Sequence, residues 1–367
     1  MKFVSEFRDP QLAANIAANI AHEVQAGRSY HLMEFCGGHT HALSRFGLND
    51  LLPHNIHMIH GPGCPVCVLP VGRVDQAIRL AREHKVILCT YADTMRIPAS
   101  GKLSLARARA EGADVRMIYS TQDALQIARD HPQREVVFMA IGFETTTPPT
   151  AVAVLQAERE GLQNFSLLCY HVLTPAAMHA ILAADNTIQL DGFVGPAHVS
   201  TVIGSQPYAT FSRDHGKPVV IAGFEPLDML QAILMLVRQV NAGRAEVENE
   251  FTRAVTHEGN RKAQQLVQQV FTVRDSFEWR GLGSVPHSAL RLRDAYQNFD
   301  AELRFKLPYV AVADHKACEC AAILRGEKQP QQCKIFGTAC TPEHPIGSCM
   351  VSSEGACAAH YSYGRAI

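Results

Sequence analysis

The chain is expected to form two parallel-sheet α/β domains followed by a loop-rich and helical C-terminal domain. Three observations lead there. Short apolar runs alternate with helix-length segments over the first 235 residues, the signature of repeated strand–helix units. Two of the runs end alike, in Gly-Phe-Glu, at Gly142–Glu144 and Gly223–Glu225. Beyond Asp314 the aliphatic periodicity fades and Cys, Gly and Pro become dense.

Residues 10–27 read as an amphipathic helix closed by Gly27. Buried strands are expected at His31–Cys36, Ile56–His60, Val86–Thr90, Val115–Tyr119, Val136–Ile141, Phe165–Tyr170, Gly192–Val194 and Pro218–Ala222. Helical patterns fill most gaps, at Val74–Glu83, Thr121–Arg129, Pro149–Glu160 and Pro175–Ala183. Residues 226–270 read as mainly helical and are expected to leave the sheets. The divisions fall at 1–120, with the CGGHTH and CPVC segments; 121–235, with GFETT and PAHVS; and 236–367.

Charge narrows the function. Lys+Arg total 34 and Asp+Glu 35, a formal net charge of -1. Nucleic-acid or membrane-surface binding calls for a basic surface that this balance does not supply. The opening MKFVSEFRDP lacks the basic and apolar regions of a secretory signal, and no apolar run reaches spanning length. A cytoplasmic location is expected. There, eleven cysteines point to metal binding or thiol chemistry before structural disulfides. No strand is followed by G-x-G-x-x-G and no P-loop occurs, which argues against nucleotide binding.

Six of the cysteines lie in the last fifty residues: Cys318, Cys320, Cys333, Cys340, Cys349 and Cys357. So small a region, poor in core-forming aliphatics, needs a metal staple. Zinc competes with an iron–sulfur cluster for such thiolates. Structural zinc usually takes two close Cys pairs, whereas here only Cys318-x-Cys320 is close. The wide spacings favour a [4Fe–4S] cluster, which takes one thiolate per iron.

Upstream, Cys36 ends a strand and opens Cys-Gly-Gly-His-Thr-His. The glycines permit a tight turn, so Cys36 and His39 are expected to face one point, the imidazole helping to deprotonate the thiol. Cys64-Pro-Val-Cys67 follows another strand; a C-x-x-C pair forms a reversible disulfide or binds a metal. Glu144 and His198 also sit at strand ends, where ligands of open α/β sheets gather. Glu225 reads instead as a helix-capping carboxylate. Cys89 and Cys169, inside apolar runs, read as core thiols.

Together these segments resemble the HypD family of [NiFe] hydrogenase maturation factors. The resemblance rests on CGGHTHAL (Cys36–Leu43), HGPGCPVCVLP (His60–Pro70), GFETT (Gly142–Thr146), PAHVS (Pro196–Ser200), AGFEPLD (Ala222–Asp228), FEWRGLG (Phe277–Gly283) and MVSSEGACAA (Met350–Ala359), in family order over nearly the whole chain. It implies a scaffold with redox function on which an Fe(CN)2CO unit is assembled with a HypC-type partner. A HypE-type protein donates cyanide, and the hydrogenase large subunit receives the product. It also implies that Cys36 holds the iron with His39 near it, that Cys64 and Cys67 are a redox pair, and that Glu144 and Thr145 line the cleft. The implied [4Fe–4S] ligands are Cys318, Cys333, Cys340 and Cys357, which leaves over Cys320 and Cys349, an extra pair that forms a redox disulfide near the cluster in some members and is lacking in others. The alternative is an iron–sulfur-dependent thiol–disulfide reductase.

Overall fold

The structure, a computed structural model, describes residues 4–183 and 189–364. Residues 1–3, 184–188 and 365–367, which fall within the three expected divisions, lie outside the described set. The chain opens with α1 (Pro10–Glu23), β1 (Tyr30–Glu34), α2 (Gly37–Arg45), β2 (Ile56–His60), α3 (Pro65–Val68) and α4 (Val71–Glu83). It continues through β3 (Ile87–Thr90), α5 (Leu105–Ala110), β4 (Val115–Met117), α6 (Thr121–Asp130), β5 (Val136–Gly142), α7 (Thr147–Glu160), β6 (Phe165–His171) and α8 (Thr174–Ala183). Then come β7 (Gly192–Pro196), α9 (Ala197–Ile203), α10 (Ala209–His215), β8 (Val219–Ala222), α11 (Pro226–Asn241), β9 (Val247–Asn249) and α12 (Arg261–Val270). The last part holds β10 (Phe271–Val273), β11 (Ser276–Trp279), β12 (Gly283–Pro286), β13 (Leu290–Leu292), α13 (Ala301–Arg304), α14 (Cys320–Leu324) and α15 (Ala356–Tyr363).

Local chemistry sets the helix ends. Asp9 caps α1 by accepting from the Gln11 and Leu12 amides, with Pro10 in the first turn. Ser120 and Asp123 close a capping box on α6. α1 stops at Glu23, short of Gly27, because Val24 turns to extended backbone. No described helix is long and apolar enough to cross a membrane.

Two parallel sheets form the frame. The five-stranded sheet runs β2-β1-β7-β8-β9 and the four-stranded sheet β4-β3-β5-β6. β5 and β6 are buried along their whole length, as parallel strands covered on both faces must be. Both sheets follow the doubly wound order in which the second strand lies outside the first and the third pairs on its other side. In the larger sheet the winding reverses between β1 and β7, which pair from Leu32 with Gly192 to Glu34 with Val194.

The sheets do not divide at residue 120 or 235. The four-stranded sheet is built wholly from residues 87–171 and is inserted between β2 and β7 of the other sheet. Nor does 226–270 leave the sheets: α11 buries Leu230, Ile233, Leu236 and Val237, and β9 pairs with β8 as an edge strand. Apolar strands of similar composition carry no label for their partners, so strand membership is decided by contacts far apart in sequence. The cysteine-rich C-terminal segment is continuous with the rest, since Cys320, Cys333, Cys340, Cys349 and Cys357 share one apolar core with Cys64, Cys67 and Val68.

Candidate functional site

Cys36 follows β1 and stands at the N-terminal end of α2, where its carbonyl accepts from the His39 and Thr40 amides. His198 follows β7 on α9. The two strands flank the winding reversal, so both side chains meet at the carboxyl edge of the sheet, where ligands of doubly wound folds bind. Cys36 Sγ lies 3.2 Å from His198 Nδ1. Burial pushes the Cys36 thiol well above its ordinary range, Glu354 and Glu34 push it further, and the Gly38 and His39 amides partly offset this. Burial, with a smaller contribution from His39, holds His198 down to about 4. At neutral pH the pair is therefore a neutral thiol and a neutral imidazole, with the proton on sulfur.

The imidazole that reaches the sulfur is His198, not His39. His39 is buried and donates from Nε2 to the Ala222 carbonyl at 2.9 Å, while its Nδ1 has no partner among the described residues. Helix periodicity turns residue 39 toward β8, a direction that the spacing of Cys-Gly-Gly-His does not reveal. Phe224 fills the space between, its ring 5.1 Å from His39 and 5.6 Å from His198. It also sits where a side chain on Gly38 would go. Of the second Gly-Phe-Glu, then, the phenylalanine lines the site. Glu225 caps α11 in a box with Asp228 and pairs with Arg8.

The C-x-x-C turn lies directly behind Cys36. Cys64 and Cys67 form a disulfide across α3, with Cα atoms 5.2 Å apart. The Gly37 amide donates to the Gly63 carbonyl at 3.1 Å, and a Cβ on Gly63 would collide with the Cys36 backbone. Ser348 Oγ donates to the Cys67 carbonyl at 2.8 Å, which joins this turn to the C-terminal cysteine segment. Arg280, 4% exposed, adds a second tie. Its backbone amide donates to the Val68 carbonyl at 2.7 Å and its Nε to the Leu69 carbonyl at 3.0 Å. Its Nη1 pairs with Asp314 at 2.8 Å.

Glu144 takes a different position. Its carboxylate accepts from the Thr174 amide at 2.8 Å and the Thr174 hydroxyl at 2.9 Å, and burial raises it to about 7. It lines a separate cavity with Thr147, Leu173, Val202 and Gln264. Thr145 is half-buried beside it. Tyr208, which the sequence did not single out, is fully buried and lies within electrostatic reach of both Glu144 and Cys36.

In the C-terminal segment Cys318, Cys320, Cys333, Cys340 and Cys357 line one small cavity with Ile323, Ile335, Phe336 and Met350. Cys349 is fully buried, outside that lining but within electrostatic reach of Cys357. All six carry free thiols, so Cys320 and Cys349 are not joined. Cys320 touches both Cys318 and Cys357, and these hydrogen bonds, together with burial, drive both of those thiols upward. The Ile346 amide donates to Cys340 Sγ at 3.3 Å. Thiols this close cannot all ionise without a cation among them. Among the described residues no three His, Cys, Asp or Glu side chains converge as a single ion requires. A cubane takes one thiolate per iron. Five thiols, an amide directed at sulfur and an apolar wall are a donor set that fits such a cluster.

A doubly wound frame with a thiol–imidazole pair at its winding reversal, a disulfide behind it and a second thiol-lined cavity defines a thiol-centred α/β protein. Residues 11–364 match the family model HypD, described as the hydrogenase formation hypA family. The chain is 66% identical over its whole length to the hydrogenase maturation factor HypD of Cupriavidus necator, covering 98% of that protein. It is 52% identical over its whole length to the namesake of Rhodobacter capsulatus, covering 99% of it. It is 46% identical to that of Escherichia coli K12 over 99% of this chain and 98% of the relative. The chain belongs to the HypD family of hydrogenase maturation factors.

Proposed function

We propose that this maturation factor is a scaffold with redox function on which an iron carrying cyanide and carbon monoxide is assembled before transfer to a hydrogenase large subunit. The observation that carries the reading is the Cys36–His198 pair, 3.2 Å apart, with the Cys64–Cys67 disulfide packed against the same turn. The iron is cargo. Cys36 offers it one soft thiolate, and an incoming cation takes the place of the proton now held on sulfur. His198 accepts that proton or orients the sulfur. One thiolate leaves the iron otherwise free for a second anchor from a small HypC-type partner and for cyanide from a HypE-type donor. A shared anchor of this kind lets go of its cargo when the partners part.

Cys318, Cys333, Cys340 and Cys357 would hold a [4Fe–4S] cluster, which supplies single electrons when bound. Cys320 lies in the same lining and is a fifth donor beside that set. Cys64 and Cys67 store two electrons as dithiol or disulfide, and Ser348 joins their turn to the cysteine-rich C-terminal segment. The test is anaerobic co-purification with the small partner, with iron, sulfide and zinc counts and an infrared spectrum. Cyanide and carbonyl stretches that vanish in Cys36→Ala support the scaffold. Bands that persist in the variant refute it, as does zinc in place of iron. Disulfide reduction of a protein partner without any iron or cyanide source would point to the reductase instead.

A further inference from the structure

Beneath the Cys36 turn lies Glu34, which has no exposed surface. A buried carboxylate is held by the donors around it, and losing one is costly. Glu34 Oε2 accepts from the Cys36 amide at 2.9 Å. Its Oε1 accepts from the Thr40 hydroxyl and from His60 Nδ1, the latter at 2.8 Å. His60 is itself 4% exposed, and its Nε2 lies 2.9 Å from Nε2 of His360. On the far side, His360 Nδ1 lies 2.6 Å from Nε2 of exposed Gln331.

The ends of this chain of contacts fix its direction. The carboxylate only accepts and the amide nitrogen only donates. So Gln331 donates to His360 Nδ1, His360 donates from Nε2 to His60 Nε2, and His60 donates from Nδ1 to Glu34. In this arrangement each imidazole presents one nitrogen as donor and one as acceptor, and no link is left with two donors or two acceptors.

His360 lies on α15, the helix that also carries Cys357. The segment before that helix closes over the same turn: Glu354 occupies the space where Gly37 would carry a Cβ, and the Ser353 carbonyl lies 3.3 Å from His41 Nδ1. We propose that His360 is a positioning residue for Cys36, acting through His60 and Glu34, so that the docking of the C-terminal helix sets the geometry of the iron-side thiol. The purpose of the device rests on the reading of Cys36 as the iron-binding thiol; its existence does not.

The test is the alkylation of individual cysteines by N-ethylmaleimide in the full-length protein, read by mass spectrometry. Variants and wild type are compared at equal iron content, iron-free protein included. In His360→Phe, which cannot donate to His60, Cys36 alkylation is expected to rise about tenfold, as for loss of one link in a buried hydrogen-bonded chain. Cys89 and Cys169, buried in the other sheet, stay as protected as in wild type. His360→Gln restores a donor at the same reach and returns Cys36 to within about twofold of wild type. Unchanged Cys36 reactivity in His360→Phe overturns the proposal. So does a parallel rise at Cys89 and Cys169, which would report general loosening, or a failure of His360→Gln to rescue. Cyanide and carbonyl bands missing from wild type would sink the scaffold reading alone and leave this comparison intact.

Discussion

Cys36 and His198 stand 3.2 Å apart at the carboxyl edge of two neighbouring strands, both electrically neutral in the absence of a metal. We expect Cys36→Ala to abolish iron retention by the complex with the small partner while leaving the far-ultraviolet circular dichroism unchanged. His198→Ala should weaken retention by about 10- to 100-fold, the usual effect of removing a partner that orients a metal-binding group. Iron counts after gel filtration measure both. Full retention in His198→Ala would show the imidazole to be a bystander.

The thiol-lined cavity makes a graded prediction. Cys333→Ala and Cys340→Ala should each lose the brown absorption of the reconstituted protein. Cys349→Ser should keep it, since Cys349 stands outside the lining. Cys318 and Cys320 share the lining and are the pair for which single and double replacements are most informative. Colour surviving in both Cys333→Ala and Cys340→Ala would show the ligand assignment to be wrong.

Gly63 is pressed against the Cys36 backbone so closely that a methyl group has no space. Gly63→Ala is expected to destabilise the protein by about 1–3 kcal/mol, the range for forced overpacking. The readout is the urea midpoint, with Cys36 alkylation as a local probe. An unchanged midpoint would mean that the two turns move apart freely.

Acid sensitivity follows from buried histidines. His171 donates or accepts at 2.9 Å with the Thr150 hydroxyl, and burial holds it down to about 4 from an ordinary value of 6.5. Between these values the unfolded chain binds the proton and the folded chain does not. Stability is therefore whole above about 6.5 and lost as pH falls toward about 4. We expect melting temperature to drop through that window and His171→Gln to flatten part of the drop. A variant with the wild-type slope would exclude His171 as a source.

The sequence made the strands legible because parallel, doubly covered strands are written as plain apolar runs: each one expected between His31 and Ala222 is found within a few residues. Which strands share a sheet was not legible. β9, three residues long and half-buried, has too little apolar character to be seen at all. The strand-end positions of Cys36, Cys64, Cys67 and His198 were legible because glycine and proline around them announce turns. The direction of His39 was not legible, because closeness along the chain does not make two side chains face each other. Phe224 was hidden in a motif read for its carboxylate, and Glu34 and His60 were hidden inside apolar runs. Arg280, in the FEWRGLG segment, acts through backbone carbonyls, which leave no trace in residue spacing.

Inserting one sheet inside another has a consequence for biosynthesis. Chains leave the ribosome from the N-terminus. β1 and β2 must therefore wait through residues 87–171 before β7 emerges to pair with β1. The intervening sheet finds all its strand partners within those residues. The turn that carries Cys36 is closed over by Ser353 and Glu354, which are among the last residues to emerge. A nascent chain thus carries loose thiols where the folded protein has an ordered turn.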